Sequence, residues 1–264
     1  MTETSDPDWN ETPAATLIVF RNARDGGPPE LLMTRRSTEM RFVGGYVVFP
    51  GGKVDDADRK LAGEIASDAP PDHIAAQIAA IRETLEETGL LLGLACPVSL
   101  EEALEAREIV CSQGTLAAVL DRKRWQLDLD TIVPFARWCP PFRGGYDTRF
   151  FLADIGTGAV SLKEDATETD ALFWASAREV LAMAERAEVD IIFPTRRNLE
   201  RLAQFSSFSE AVADASKHPV EKIRPRTVKR DGEDWMELPE NAGYPVRIAR
   251  VDPVKPSVAN EADQ

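Results

Sequence analysis

The stretch from Asp72 to Gly89 constrains this chain more than any other. Ile74, Ile78, Ile81 and Leu85 recur at the three- and four-residue spacing that lays an apolar stripe along an α-helix. Asp72 is placed to cap the N-terminus. Gly89 is placed to stop the helix, because glycine takes up the left-handed conformation that a helix end needs. The other side carries Glu83, Glu86 and Glu87, which this spacing gathers on one face. Arg82 stands four residues before Glu86, close enough to orient it by a salt bridge. Two readings fit so dense a set of like charges. One is a solvated, glutamate-rich surface. The other is a cluster of oxygens for a hard divalent ion such as magnesium, completed by substrate phosphates and water.

The surroundings predict an α/β domain. "ATLIVF" (Ala15–Phe20) reads as a buried strand and "ELLMTRRS" (Glu30–Ser37) as a second, with Gly and Pro turn signals between them that predict a hairpin. "YVVFPGG" (Tyr46–Gly52) reads as a strand ending in a sharp turn, where two glycines let the backbone fold tightly or approach a ligand. Residues 55–71 are polar and loop-like, with a short helix around Arg59–Ala66. Further helices are predicted at Pro97–Ile109, "GTLAAVLDRKR", "AREVLAMAERAE" and "PTRRNLERLAQF". Strands are predicted at "TIVPFARWC", "DTRFFLADI" and Ala171–Ser176. Residues 1–12 read as a disordered tail, 13–214 as one domain with helical additions, and 215–264 as an extended arm with a disordered end.

Composition narrows the function. Of 264 residues, 43% are hydrophobic, enough for a sizeable core. The chain has 31 Lys and Arg against 45 Asp and Glu, a formal charge of −14. That argues against a nucleic-acid partner, which needs a basic face. An anionic small molecule still fits, since local arginines or a metal override the mean charge. Three cysteines, two histidines and no CxxC pair argue against zinc. Cys111 and Cys139 read as buried thiols, and His73 as a residue near a cap. Trp138, Trp174, Phe150 and Phe151 read as core. The basic island Glu221–Arg230 reads as a solvated arm or a phosphate or partner contact. The acidic start is neither a signal nor a transit peptide, and no apolar run reaches the roughly 18 residues of a membrane span. The expectation is a soluble, cytoplasmic protein with no membrane partner, and a homodimer is left open.

"FPGG" (Phe49–Gly52), a loop, then "RETLEETGL" (Arg82–Leu90) resembles the Nudix box, in which a glycine, a first glutamate and an R-E-x-x-E-E-x-G core follow one another. Arg82, Glu83, Glu86, Glu87, Gly89 and Leu90 match its second half residue by residue. Two departures stand out. The first-glutamate position falls on Asp58, and 23 residues rather than seven separate it from Arg82, an insertion of 16. Thr84 stands where an aliphatic residue is usual. The resemblance implies a Nudix α/β/α sandwich with a mixed central sheet over 13–214. It also implies a catalytic set of Arg82, Glu83, Glu86 and Glu87, with Mg2+ or Mn2+ on the three glutamates.

"RRSTEMRFVGGYVVFPGG" is similar to the signature of the Nudix branch that hydrolyses coenzyme A. The long insertion, "ARWCPP…YDTRFFLA", "FPTRRNLERLA" and "ELPENAGYP" resemble the larger, peroxisomal-type members of that branch. This implies hydrolysis of coenzyme A or acyl-CoA to 3′,5′-ADP and (acyl-)4′-phosphopantetheine. Arg36, Arg41, Gly51 and Gly52 would then contact substrate. Arginines suit phosphate, although any strand can carry surface arginines. The general base would be a box glutamate or Glu168, which also reads as a plain loop carboxylate in "KEDATETD". The alternatives are a Nudix hydrolase of another nucleoside diphosphate derivative, such as ADP-ribose, NADH or a nucleotide sugar, and a silent nucleotide- or partner-binding module.

Overall fold

The computed structural model describes residues 10–37, 45–156 and 169–250. Its frame is an eight-stranded mixed sheet. β1 (Thr12–Arg21) lies at the centre, parallel to β6 (Tyr146–Asp154) along nine residue pairs. On its other side β1 has two antiparallel neighbours in succession. Near its start it pairs with β4 (Gly51–Lys53), and at its end with β2 (Glu30–Arg36), which closes the predicted hairpin. β2 in turn pairs with β3 (Val47–Val48) and β7 (Thr169–Ser176). β5 (Val133–Trp138) is antiparallel to β6, and β8 (Lys222–Ile223) is parallel to β5 at the edge.

Strand alternation divides the core between the two faces. Ala15, Leu17 and Val19 of β1 face one helical layer: α1 (Asp56–Glu64), α2 (Pro71–Thr88), α3 (Leu100–Gln113) and α4 (Ala117–Lys123). Ile18 and Phe20 face the other: α5 (Ala177–Glu185), α6 (Phe193–Leu202) and α7 (Phe208–Ala215). A strand covered on both sides has no polar face, which is why "ATLIVF" is a continuous apolar run. The α/β/α sandwich and mixed sheet are as the sequence predicts.

Several details differ. Pro70, not Asp72, caps α2, with Pro71 in the first turn, where its missing N–H costs nothing. Gly89 does end the helix, at φ 73°. α2 is also buried well beyond its isoleucine stripe, because Ala75, Ala76, Ala79 and Ala80 let neighbouring elements pack close around it. Cys111 is exposed, being on the outer side of α3, whereas Cys139 is buried. Trp138, Phe150 and Phe151 are core, and Trp174 is partly buried under the Arg21 guanidinium.

The segment beyond 214, read as an extended arm, carries β8 and a separate three-stranded antiparallel sheet. Its strands are β9 (Arg226–Arg230), β10 (Glu233–Glu237) and β11 (Ile248–Arg250). It returns to the core through Tyr244, whose hydroxyl donates to Asn198 Oδ1 at 2.6 Å and accepts from Trp138 Nε1 at 2.8 Å. The basic island is not a free arm at its start, since Lys222 and Arg224 both pair with Glu11. The disordered tail expected over residues 1–12 does not extend to Glu11 and Thr12, since Glu11 is ion-paired and Thr12 opens β1. Residues 1–9 and 251–264, the latter taking in the end expected to be disordered, lie outside the described residues, as do Arg41 and Glu168. Among the described residues no helix is long and apolar enough to cross a membrane.

Candidate active site

The last two turns of α2 bring the glutamates against the two glycines that open β4. Gly52 faces the Glu83 carboxylate so closely that a Cβ there would overlap it. The Gly51 N–H donates to Glu87 Oε2 at 3.2 Å. Gly51 itself is pressed on β1, where a Cβ would strike the Ala15 carbonyl and Thr16 backbone. The two glycines thus have separate duties: the first lets two strands pair, the second leaves room for a carboxylate.

Arg82 organises the cluster from beneath. Its Nε and Nη2 donate to the two oxygens of Asp58 at 3.0 and 2.9 Å, and Nη2 also donates to the Lys53 carbonyl. Nη1 reaches Glu83 Oε1 at 3.0 Å and Glu86 Oε2 at 2.9 Å. Arg82 and Asp58 are 3% and 1% exposed, so this is a buried pair that must be fully hydrogen-bonded to persist. Burial works against the guanidinium charge, but the Asp58 hydrogen bond and the Glu83, Asp58 and Glu86 charges outweigh it and raise the Arg82 pKa. Asp58 was located only by counting from Gly52, and the structure seats it directly on the box arginine. It also accepts from the Asp55 N–H in the capping box of α1. Most of the insertion becomes the rest of α1 and the first turns of α2, packed side by side.

The catalytic half of α2 is pinned from other sides as well. Thr84, fully buried, donates to the Ala80 carbonyl, and Thr88 to that of Thr84. This explains a hydroxyl where an aliphatic is usual: its proton stays satisfied inside the helix. Arg107 of α3 donates through Nε to the Glu86 carbonyl at 2.9 Å. No sequence signal points to this contact, because nothing local links residues 21 apart.

Glu87 is buried, while Glu83 and Glu86 are partly exposed. Burial lifts the Glu86 carboxyl above its ordinary value, against the pull of Arg82. The three carboxylates form an all-oxygen donor set, which suits a hard divalent cation rather than zinc or copper. They are not drawn into a single tight cluster. Among the described residues the grouping with three ligand atoms within 4.8 Å of one another is Glu11, Cys139 and Asp147, elsewhere on the sheet. Of the predicted substrate contacts, Gly51 and Gly52 meet the glutamates as described. Arg36 ends β2, half-buried, with its Nε buried and without a hydrogen-bond partner among the described residues. Arg41 and Glu168 lie outside those residues.

A family model for the NUDIX domain matches residues 11–141. A crystal structure of a NUDIX hydrolase from Alicyclobacillus acidocaldarius is 30% identical, with a TM-score of 0.66 over 77% of this chain and 96% of that one. The acyl-coenzyme A diphosphatase NUDT19 of Gallus gallus is 26% identical in an alignment covering 76% of this chain and 70% of that protein. The uncharacterised Nudix hydrolase NudL of Citrobacter koseri is 39% identical over 83 residues, 31% of this chain and 38% of that protein.

Proposed function

Because the chain belongs to the Nudix hydrolase family and is a pyrophosphohydrolase, we propose that it cleaves the diphosphate of coenzyme A or its acyl esters, with Mg2+ or Mn2+. The observation that carries the branch assignment is the spacing from Arg36 to Gly52, which ends at the two glycines that abut Glu83 and Glu87. The likeness to an acyl-coenzyme A diphosphatase along most of the chain supports it.

Glu83, Glu86 and Glu87 would hold the divalent cation, which when bound offsets diphosphate charge and makes water a better nucleophile. Arg82 keeps Glu83 and Glu86 on one side of α2, and the Gly51 N–H does the same for Glu87. Arg36, whose Nε is buried with no hydrogen-bond partner among the described residues, would bind a phosphate oxygen. Water attacks one phosphorus and the bridging P–O bond breaks, giving 3′,5′-ADP and 4′-phosphopantetheine or its acyl form. The proton of the attacking water goes to a carboxylate, either Glu168 or one of the box glutamates.

The test is a product assay. The purified protein is incubated with each metal and with coenzyme A, an acyl-CoA, ADP-ribose, NADH and a nucleotide sugar in parallel. Metal-dependent release of 3′,5′-ADP that disappears in a Glu86→Gln, Glu87→Gln double variant is the expected result. Cleavage confined to the other diphosphates would overturn the coenzyme A assignment and leave the family chemistry intact. Glu168→Gln separates the two proton acceptors, since only one of them predicts loss of the basic-side rate advantage.

A further inference from the structure

On the far side of α2 from the glutamates, three adjacent strands carry a row of cations. Arg149 on β6 is directly opposed to Arg137 on β5, and Arg137 to Lys222 on β8. Like charges directly opposed across strands are destabilising unless something offsets them. For most of the row something does. Arg224 lies 2.6 Å from Glu11, and Lys222 lies 3.1 Å from Glu11 and 3.6 Å from Asp147. Arg137 meets both oxygens of Asp147, at 2.7 and 2.5 Å. The signs alternate in space: Arg224, Glu11, Lys222, Asp147, Arg137. Next comes Arg149, where the alternation calls for an anion and the chain supplies a fourth cation.

Arg149 makes no hydrogen bond or ion pair with any described residue. Burial and the Arg137 charge both press its pKa below the ordinary arginine value. Two carboxylates act on it: Asp147, which is already bound by Arg137, and Asp72, which is exposed and paired with Arg59 at 3.2 Å. Across from Arg149 stands the first turn of α2, which brings the positive end of an 18-residue helix; its His73 and Ile74 N–H groups donate to the Pro70 carbonyl, which leaves the Asp72 N–H as the donor to face a ligand. His73 of that turn lies edge-on to Phe151 at 5.5 Å. Burial and the Arg149 charge hold its imidazole below the ordinary pKa of 6.5.

The geometry points to an anion-binding site between Arg137 and Arg149, closed by the first turn of α2, that takes a phosphate group. Arg149 offers its guanidinium and Arg137 the Nη1 that Asp147 does not take, donors that match the shape and charge of that ligand. The arginines stand across β1 from the glycines that abut the glutamates: Ala15 of β1 is opposed by Gly52 on one side and Arg149 on the other, two strand spacings or about 10 Å between their backbones. The neighbouring Glu11, Cys139 and Asp147 do not form a rival cation site, because both carboxylates already hold cations and the thiol stays protonated.

The chain has only two histidines, which makes the test direct. The imidazole C–H signals of the full-length protein are followed by NMR through a pH titration. Inorganic phosphate, AMP or chloride is present at matched ionic strength. Bound phosphate places an anion beside His73, so its pKa rises by roughly half a unit or more while His218 stays put. A rise with inorganic phosphate alone assigns the free ion, and a larger rise with AMP assigns a phosphomonoester. Arg149→Gln abolishes the rise, Arg149→Lys retains part of it, and Glu83→Gln leaves it intact. Without phosphate, Arg149→Gln melts at or above the parent temperature, because it relieves the opposed cations. An equal rise in chloride, an unchanged rise in folded Arg149→Gln, or no rise at all would overturn the site.

Discussion

Arg82 and Asp58, 24 residues apart in the chain, are joined by two hydrogen bonds of 3.0 and 2.9 Å in the interior. The contact closes the inserted segment onto the box helix and fixes the guanidinium that orients Glu83 and Glu86. Asp58→Ala removes the buried carboxylate from the Nε and Nη2 side of Arg82 and leaves the guanidinium held only by Glu83, Glu86 and the Lys53 carbonyl. Losing one partner of such a pair costs about 3–5 kcal/mol. The variant is expected to unfold at lower denaturant concentration by that amount, with the residual folded enzyme slower at saturating substrate. Urea unfolding with rate measurements at low temperature checks both parts. Unchanged stability would mean that Arg82 finds its partner elsewhere.

The adjacent glycines should separate stability from activity. Alanine at Gly52 meets only the far end of a flexible side chain, the Glu83 carboxylate. Gly52→Ala is therefore expected to fold with nearly the parent melting temperature and to lose roughly 10²-fold in rate, as displacement of a reacting group by about an ångström does. Alanine at Gly51 meets backbone, at the Ala15 carbonyl and Thr16. Gly51→Ala is expected to lower the melting temperature markedly. Thermal melts of the two variants beside their rates give the comparison, and equal melting temperatures would contradict it.

Arg107 is a positioning residue on the same reading. Leu90 N–H turns to the Thr88 hydroxyl, so the Glu86 carbonyl near the helix end takes its hydrogen bond from Arg107 instead. Arg107→Ala leaves that carbonyl with water at best and lets the turn between Glu83 and Glu87 loosen. Supporting contacts of this kind are worth about 10- to 100-fold in metal affinity or activity. The concentration of Mg2+ for half-maximal rate is expected to rise about tenfold, with Arg107→Lys recovering part of the loss. A merely structural role would lower the melting temperature and leave the metal dependence alone.

The elements around the box were legible in sequence because each has a strong local signal. β1 is a continuous apolar run, α2 keeps its 3.6-residue stripe, and Gly89 stops the helix where glycine should. The carboxylate cluster was legible because three- and four-residue spacing fixes a helix face without any tertiary information. What was not legible depends on distant contacts. Asp58 could be reached by counting, but only the fold places it under Arg82. Arg107 and the Tyr244, Asn198 and Trp138 contact join segments far apart in the chain. The chain beyond 214 looked weakly patterned because its short strands β9 to β11 are mostly exposed and carry no apolar alternation. Cys111 looked like core by residue type, yet it falls on the outer side of α3.

Thiol chemistry should distinguish the cysteines. Cys96 and Cys111 are exposed, whereas Cys139 is buried and its pKa is pushed up to about 12 by burial and then by the Asp147 and Glu11 charges. Only thiolate attacks an alkylating reagent or a disulfide. At mildly alkaline pH the native protein is expected to lose two thiols quickly and the third only in denaturant, read by mass spectrometry. Rapid modification of Cys139 in the folded protein would show that this part of the sheet opens.

Asp147 should give the protein an acid-labile component of stability. Burial alone would raise its pKa above the ordinary 3.8, but the Arg137 hydrogen bonds, the Arg137 charge and Lys222 outweigh burial and lower it. A carboxyl whose folded value is depressed binds fewer protons in the native state than in the unfolded chain. Its contribution is therefore complete above the ordinary value and is lost as pH falls through the depressed one. Asp147→Asn removes that contribution and leaves Arg137 opposed to Arg149 with no carboxylate between them and Lys222. The variant is expected to be less stable than the parent at neutral pH, and the difference should narrow steadily as the pH drops below about 4. Equilibrium unfolding of both proteins across that range measures the gap. A gap that stays constant through the acid limb would mean that the Asp147 charge does not stabilise the fold, and that its role there is confined to packing.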